Sequence, residues 1–524
     1  MRSSHQPVAL SLALAALMLA GCRVGPEYQR PPAMAQAPPA AYKESPGPAQ
    51  PGNAMPANPS TNNTPGAQAA YRGEWKVAQP QDAMLHGNWW EIYSDSELNA
   101  LEDKLNIDNQ TIKVYFANFM EARTLVAEAR AQLYPTLTAA PSFNRSLSSG
   151  SLTNASTANV GKESSITTMG LDASWAPDLW GKVRNTIREE QYSAQLSAAD
   201  LEGEKLTEQA TLAVTFFEIR GQDALKAILQ QTVADDQKSL DYTRAQYETG
   251  VGDQISVVEA QNTLENAQAA LTNLGVARAE YEHAIAVLIG VDASSFSIPV
   301  KPLDAPPPAV PIGVPSQLLE RRPDIAASER AMAAANAQIG VATAAFYPAL
   351  TLSATGGFES STIGNLFSWP SRFWSVGSSV AQPVFDAGLR RATVNQYIEV
   401  YNGDVASYRQ TVLTAFQQVE DYLAAVRILS QQIQQQEQAQ QSAQQFVDLE
   451  TARYETGVDP YIDVVTAQNT LLADRQTLAS LHTEEMTASV QLIEALGGGW
   501  DSTQLPTPQQ VTTKITPAKS VIQR

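Results

Sequence analysis

Acidic residues and tyrosines gather at two places in the chain, each beside the same four residues, Tyr-Glu-Thr-Gly. The first copy is 247–250 and the second is 454–457. Glu259 follows the first copy, whereas Asp459 and Asp463 follow the second. Such groups can form ion pairs or attract cations. Neither place has a nucleophile beside a base, so we expect no covalent catalysis there.

Other residue types that could carry out chemistry are few. The chain has one cysteine, Cys22, so it cannot form an internal disulfide, and its 4 histidines lack metal-ligand spacing. The sequence contains no phosphate-binding glycine loop and no His-Glu-x-x-His zinc motif. We therefore predict that the protein is not an enzyme and has no cofactor or dedicated metal site. A formal net charge of −19 argues against a nucleic-acid partner, because phosphates would be repelled.

The first residues predict export and a lipid anchor. An apolar run at 8–20 is too short for a bilayer span, which needs ~20 residues, but it is typical of a secretory signal. Leu-Ala-Gly-Cys at 19–22 resembles a bacterial lipoprotein box. This resemblance implies a signal peptide at 1–21, a lipid on Cys22 and, since Arg23 rather than aspartate follows, the outer membrane as destination.

The next segment, 22–80, is predicted to be an extended tether. Eleven prolines lie between Pro26 and Pro65 among Ala, Gln, Asn and Gly, and this composition is poorly suited to burying a core. We expect ordered packing to begin near Asn88.

Proline spacing then indicates very long helices. No proline occurs between Pro177 and Pro299 or between Pro383 and Pro460, and proline breaks helix interiors. Apolar residues recur every three or four positions in both gaps. These features predict long helices, each ~100 Å in length at 1.5 Å per residue, and shorter ones between them; the expected ranges are 178–248, 254–289, 323–346, 387–456 and 460–496.

Two stretches alternate apolar and small polar residues and predict β-hairpins at about 136–175 and 349–384. Aromatic residues bound them, as in a membrane barrel. Four strands cannot close a barrel, and lipid does not tolerate an open sheet edge. Closure therefore requires several chains.

The chain is an internal duplication. Gly181 and Arg184 recur as Gly388 and Arg391 at an offset of 207, the same offset as the two Tyr-Glu-Thr-Gly copies. We predict a first repeat at 81–300, a second at 301–500 and a tail at 501–524. The fold class is mainly α with a small β part.

Several motifs resemble the TolC-like outer membrane factors, specifically the lipoprotein branch that serves resistance-nodulation-division (RND) efflux pumps. They are Trp89-Trp90, Leu-Glu-Arg-Arg-Pro-Asp-Ile at 319–325, Ala-Ala-Asn-Ala-Gln-Ile-Gly at 334–340 and Leu-Gly-Gly-Gly-Trp at 496–500. The resemblance implies a homotrimer with a twelve-stranded barrel in the outer membrane of a Gram-negative bacterium. An α-helical barrel would continue through the periplasm to a periplasmic adaptor and an inner-membrane RND transporter, and small toxic compounds would leave passively.

The resemblance also assigns roles to the repeated turns. They would close helical hairpins at the periplasmic tip, where the channel narrows and the adaptor docks. Three copies of Asp463 around a narrow axis would attract cations. The implied gate residues are Asp463, Glu259, Tyr454, Arg453 and Asp459. The implied adaptor contacts are Tyr247, Gly250, Val251, Tyr454, Gly457 and Val458.

Two other functions remain open from sequence. A type I secretion duct would export proteins, although the lipoprotein box and the Arg-Arg-Pro-Asp-Ile motif disfavour it. A lipid-anchored structural coiled coil spanning the periplasm is disfavoured by the two hairpins.

Overall fold

A computed structural model describes residues 23–34, 38–39, 42–44, 87–147, 149, 163–303, 305–310 and 315–512. The predicted signal peptide, Cys22 and most of the proline-rich segment lie outside the described residues, as does the chain after Thr512.

The described chain is mainly helical, with one four-stranded sheet, which confirms the predicted fold class. The elements follow in the order α1 (Ser96–Asp108), α2 (Gln110–Ala131), β1 (Thr136–Leu147), β2 (Glu163–Trp175), α3 (Lys182–Glu248), α4 (Gln254–Leu288), α5 (Pro323–Ala344), β3 (Ala349–Ser360), β4 (Arg372–Ala381), α6 (Leu389–Glu455), α7 (Tyr461–Ala495) and α8 (Pro508–Thr512). Single helical turns lie at Trp89–Tyr93, Ala293–Ser295, Pro315–Gln317, Leu318–Arg321, Ile363–Asn365, Trp369–Ser371 and Ser502–Gln504.

The two long helices, α3 and α6, have 67 residues each. Both start a few residues later than the sequence predicted, because a glycine in the left-handed region precedes each one, with φ of 77° at Gly181 and 88° at Gly388. An aspartate fixes each start. The Asp178 carboxylate accepts from the Arg184 N–H at 3.0 Å, and Asp386 accepts from the Gly388 N–H at 3.1 Å.

The strands form an antiparallel sheet in the order β1-β2-β3-β4, although three helices separate β2 from β3 in the chain. Register pairs include Leu137 with Ala173 and Leu171 with Gly356. Every residue of β1 is exposed. Apolar side chains on the outer strands are largely uncovered, with Leu137 70% and Trp374 78% exposed.

The core lies among the helices instead. One cluster joins α1, α3, α4 and α7 around Trp89, Phe216 and Val490. A buried ion network reinforces it, since Asp223, 1% exposed, accepts from Arg278 Nε at 2.7 Å and from the Lys301 N–H at 2.9 Å. Pairing of this kind offsets the cost of burying the Asp223 carboxylate.

Residues 23–34 and 42–44, which we call the N-terminal strap, pack along the helices. Tyr28 Oη donates to Glu329 Oε1 at 2.6 Å, and Tyr42 is only 5% exposed. The expectation that ordered packing begins near Asn88 is therefore wrong. Tyrosines interspersed among the prolines supply enough contact to hold this part of the segment.

Residues 501–512, the C-terminal strap, pack on α2 and α3. Gln195 Nε2 donates to the Pro506 carbonyl at 2.8 Å, and Val511 is 1% exposed. No described helix combines the length and apolar composition that a membrane-crossing helix needs.

Candidate functional site

The two repeated turns lie side by side at one end of the helices. The first turn, 249–253, joins α3 to α4, and the second, 456–460, joins α6 to α7. Tyr454 Oη, on the second hairpin, donates to Gln246 Oε1, on the first, at 2.7 Å. Below them an apolar cluster includes Leu240, Leu264, Tyr461 and Val464. We call this end of the molecule the tip.

Both turns have the same backbone. Gly250 and Gly457 have φ of 75° and 74°, in the left-handed region that favours glycine. The following valine N–H closes each turn: Val251 donates to the Gln246 carbonyl at 3.0 Å, and Val458 to the Arg453 carbonyl at 2.9 Å. The valine side chains project outward, 80% and 64% exposed.

The helices that leave the turns start differently. Asp253 caps α4, because its Oδ1 accepts from the Ser256 N–H at 2.8 Å. This hydrogen bond holds the pKa of the Asp253 carboxyl below its usual range. Pro460 precedes α7 and makes no side-chain cap.

An ion pair crosses the second turn. Arg453 Nη2 lies 3.0 Å from Asp459 Oδ1, and Arg453 Nε makes a second contact with Asp459 Oδ2. The hydrogen bond from Arg453 lowers the pKa of the Asp459 carboxyl and raises the pKa of the guanidinium. The charge of Asp459 is thus largely matched within its own turn.

Asp463 belongs to a group of three carboxylates with Glu450 and Asp459. Their ligand atoms all lie within 4.8 Å of one another. Exposed acidic groups of this kind are common without a bound ion, so we assign no metal site. Glu450 was missed from sequence; its signal is its position three residues before Arg453, which places both on one helix face.

Tyr454 is the predicted gate residue that bridges the two hairpins. Its ring lies 5.2 Å from the Tyr461 ring and 6.3 Å from the Tyr242 ring. Burial raises the pKa of Tyr454, and it raises the pKa of Tyr461 to about 12. Both hydroxyls therefore stay protonated and able to donate hydrogen bonds at neutral pH. Tyr247, the counterpart of Tyr454 at the end of α3, is 48% exposed.

The structure thus brings Arg453, Tyr454, Asp459 and Asp463 together. Glu259 is not in the three-carboxylate group; it lies on α4 beside the buried Ala260.

Asp236 on α3 is a further acidic residue near the tip, missed because the pair Asp235-Asp236 is typical of a solvated helix face. It is 4% exposed, and its Oδ2 has no partner among the described residues. Burial, with Asp235 nearby, raises the pKa of Asp236 to about 6.

Comparison with known proteins places this architecture in a family. The family model described as outer membrane efflux protein matches residues 102–291 and 314–498, most of the helical body. The chain belongs to the outer membrane efflux protein family. This confirms the predicted family, the efflux role and the outer-membrane location.

Relatives of this outer membrane efflux protein match over nearly the whole length. It is 30% identical over 493 residues to the probable efflux pump outer membrane protein TtgC of Pseudomonas putida, covering 94% of this chain and 95% of the relative. It is also 30% identical to outer membrane protein OprJ of Pseudomonas aeruginosa, covering 84% and 92%. Among solved structures, the outer-membrane channel OprN superposes with a TM-score of 0.77 at 25% identity, covering 91% of this chain and all of that one.

Proposed function

We propose that three copies of this chain form the outer-membrane exit duct of a tripartite efflux pump. An inner-membrane RND transporter would supply the energy, a periplasmic adaptor would join it to the tip, and small toxic compounds would leave passively. In this assembly the chain acts as a conduit rather than as a catalyst.

The sheet is the observation that carries this proposal. In the order β1-β2-β3-β4, each outer strand has one edge without a strand partner in the described chain. Both outer strands also expose apolar side chains, such as Phe143 at 63% and Val376 at 74%. Unpaired backbone groups are not tolerated in lipid, so β4 must pair with β1 of another copy until the barrel closes. Four strands from each of three copies give the twelve strands that the family resemblance implies.

The tip supports a gated connection to the adaptor. Val251 and Val458 project from the two turns, and each follows a glycine with a left-handed backbone. The half-exposed side chain of Tyr247 lies just before the first turn. These groups offer the adaptor two similar contact points for each copy. Tyr454 ties the second hairpin to the first, and breaking its hydrogen bond to Gln246 would free the second hairpin to move outward. The Arg453–Asp459 pair lies within the second hairpin and holds the turn itself. Asp463 and Glu259 would set the charge near the channel axis.

A lipid on Cys22 would anchor the assembly independently. Arg23, the next residue, packs closely against Gly181 at the membrane-proximal start of α3. The anchor would therefore emerge near the level at which the strands end. Growth with labelled palmitate should label the wild type and leave Cys22→Ala unlabelled; equal labelling would refute the anchor.

The decisive experiment is to purify the full chain from outer membranes, determine its mass by native mass spectrometry and record its conductance in planar bilayers. We expect a trimer that conducts ions. A monomer, or a trimer that never conducts, would contradict the duct and favour a structural lipoprotein.

Deletion of the gene followed by a broad toxicity screen tests the cargo. We expect hypersensitivity to small toxic compounds, restored by the wild-type gene. Complementation with the Asp463→Ala or the Glu259→Ala gene measures how much each carboxylate contributes to export, because resistance is restored only as far as the variant duct still works. A defect confined to secretion of a protein would instead indicate a type I secretion duct.

A further inference from the structure

Two adjoining cavities lie where the N-terminal strap begins, between the strap and α3. The first has a volume of about 520 Å³ and also touches α5 and the C-terminal strap. The second has a volume of about 630 Å³ and is lined by the strap and α3. Four side chains line both cavities: Arg23, Glu27, Arg188 and Gln191. We call this double cavity the strap groove.

Hydrogen bonds to the strap backbone fix the walls of the strap groove. Asn185 Nδ2, on α3, donates to the Val24 carbonyl at 2.9 Å. Asn336 Nδ2, on α5, donates to the Pro26 carbonyl at 3.2 Å. The Val24 N–H in turn donates to the Trp180 carbonyl at 3.1 Å. The groove is therefore preformed, which lowers the entropic cost of binding a ligand.

The strap groove carries charges of both signs that the described chain does not pair. Arg23, Arg188 and Glu27 form no ion pair with any described residue. A further arginine, Arg184, lines the second cavity and pairs with Asp178, with Nε 3.1 Å from Oδ2. The chain has a formal net charge of −19, so a groove with this many arginines is opposite in sign to the protein as a whole. Two arginines beside one carboxylate suit a ligand that carries an anion and a cation close together.

Aromatic side chains place the strap groove relative to the membrane. Where the strands join the helices, the Trp180 and Tyr347 rings stack at 4.9 Å, and Tyr134 is 69% exposed. Tryptophan and tyrosine are enriched at membrane–water interfaces. Arg188 lies six residues beyond Lys182, the first residue of α3, which is about 9 Å at 1.5 Å per residue. The groove therefore lies just on the helix side of the interface, at the level of the lipid headgroups.

We infer that the strap groove binds the phosphoethanolamine headgroup of a phospholipid in the leaflet of the outer membrane that faces the periplasm. Arg23 and Arg188 donate hydrogen bonds to the phosphate oxygens, and Glu27 accepts one from the primary ammonium group. A guanidinium is planar and donates to phosphate oxygens in pairs. This inference rests on the proposed placement of the sheet in the outer membrane, and it adds a bound lipid beside the proposed lipid on Cys22.

The carboxylate of Glu27 makes the strap groove selective among headgroups. Phosphatidylglycerol offers a phosphate but no ammonium group, so it leaves Glu27 unpaired beside the phosphate. Phosphatidylcholine has a quaternary ammonium group, which has no N–H to donate to the carboxylate. Inorganic phosphate has no acyl chains to hold it at the interface, so it should not displace the lipid.

Native mass spectrometry tests this site in the full-length protein, released from nanodiscs with equal amounts of phosphatidylethanolamine and phosphatidylglycerol of the same acyl chains. The wild type should retain about tenfold more phosphatidylethanolamine, the ratio expected for one charge-assisted hydrogen bond. Arg188→Gln should lower the retention of both lipids about tenfold for the same reason. Glu27→Gln should abolish the preference and leave phosphatidylglycerol bound.

The matched control is Lys182→Gln, which removes a positive charge from the same end of α3 but outside the groove. It should change neither the amount nor the ratio of retained lipid. Lys182, Arg188 and Glu27 are all exposed, so none of these changes removes a core contact.

Three results would overturn the headgroup site: no retained lipid, equal retention of the two lipids by the wild type, or wild-type retention by Arg188→Gln. Displacement of the lipid by excess inorganic phosphate would show that the groove holds free anions and would also overturn it. A conducting trimer that gives any of these results refutes this inference and leaves the duct intact. A monomer recovered outside the membrane would refute both proposals.

Discussion

The two tip turns share one backbone but carry different charges. Residues Glu450, Arg453, Asp459 and Asp463 surround the second turn, and their counterparts 207 positions earlier are Thr243, Gln246, Gly252 and Ser256. All four charged side chains of the second turn therefore correspond to neutral residues in the first. The repeated Tyr-Glu-Thr-Gly sets the path of the chain, whereas the residues around it decide what each turn does.

A second contrast lies just above the turns. Asp236 of α3 is buried, and its counterpart on α6 is Ala443, which is buried as well. One repeat therefore places a carboxyl where the other places a methyl group. The first hairpin buries a carboxyl with one unpartnered oxygen, whereas the second hairpin pairs Asp459 with Arg453 at its turn.

Removal of the bridging ring should have the largest effect. Tyr454→Ala deletes a ring packed on Tyr461 and a hydrogen bond to Gln246, so we expect a loss of about 2–3 kcal/mol of local stability at the tip. Tyr247→Ala, the matched change in the first hairpin, should cost less than about 0.5 kcal/mol because its side chain is half exposed. Hydrogen exchange of the amides of α6 and α7 near the tip measures both. Equal losses would mean that the two turns do not differ as described.

Asp236→Asn should stabilise the first hairpin at neutral pH. Burial raises the pKa of Asp236 to about 6, against about 4 in an unfolded chain. The folded state then binds the proton more tightly, so stability falls as pH rises from about 4 to 6, and the cost is fully present at pH 7. We expect a gain of about 1–2 kcal/mol at pH 7 and none at pH 4.

Hydrogen exchange of α3 amides at pH 5 and 7, corrected for intrinsic rates, measures this effect. Asp235→Asn is the control, and it should leave most of the pH dependence in place. If hydrogen exchange in Asp236→Asn kept the pH dependence of the wild type, the raised pKa of Asp236 would be contradicted.

Gly250→Ala and Gly457→Ala should each lower the local free energy of unfolding by about 1 kcal/mol, and the two losses should be equal. The reason is the positive φ alone, since a Cβ would meet no atom within 4 Å at either position. Local hydrogen exchange on the two hairpins compares them directly. Gly403→Ala, in an open stretch of α6, should be neutral or stabilising. A clear difference between the two turn variants would show that their backbones are not equivalent in solution.

Asp459→Asn should have the smallest effect on stability, because ion pairs at the surface contribute little. It should release Arg453 and reduce the negative charge near Asp463, so the cation preference of the channel should fall at low salt. Bilayer reversal potentials measure this change, with Asp253→Asn in the first turn as the control. No change in selectivity would place this carboxylate away from the conducting path.

Much of the fold was predictable because it depends on local rules. The absence of proline in two long gaps and the period of the apolar residues predicted α3 and α6 to within a few residues. Alternation predicted all four strands. The start of each long helix was missed by a few positions, because it depends on a glycine and an aspartate acting together.

The candidate site was less predictable. The turn glycines follow from sequence, since a left-handed residue after a helix is usually glycine. The pairing of Arg453 with Asp459 and the burial of Asp236 depend on how two hairpins pack, which one-dimensional patterns do not encode. Composition also predicted the N-terminal strap wrongly, because the contacts of Tyr28 and Tyr42 with the helices hold it despite its proline content.

The equal lengths of the helices in the two hairpins limit how this protein can change. Helices α3 and α6 have the same number of residues, and so do α4 and α7. An insertion in one hairpin alone would leave the two turns at different heights and offer an adaptor an uneven rim. The distance from the sheet to the tip can therefore be altered only by matched insertions in both halves. The duplication thus keeps the two hairpins equal in length.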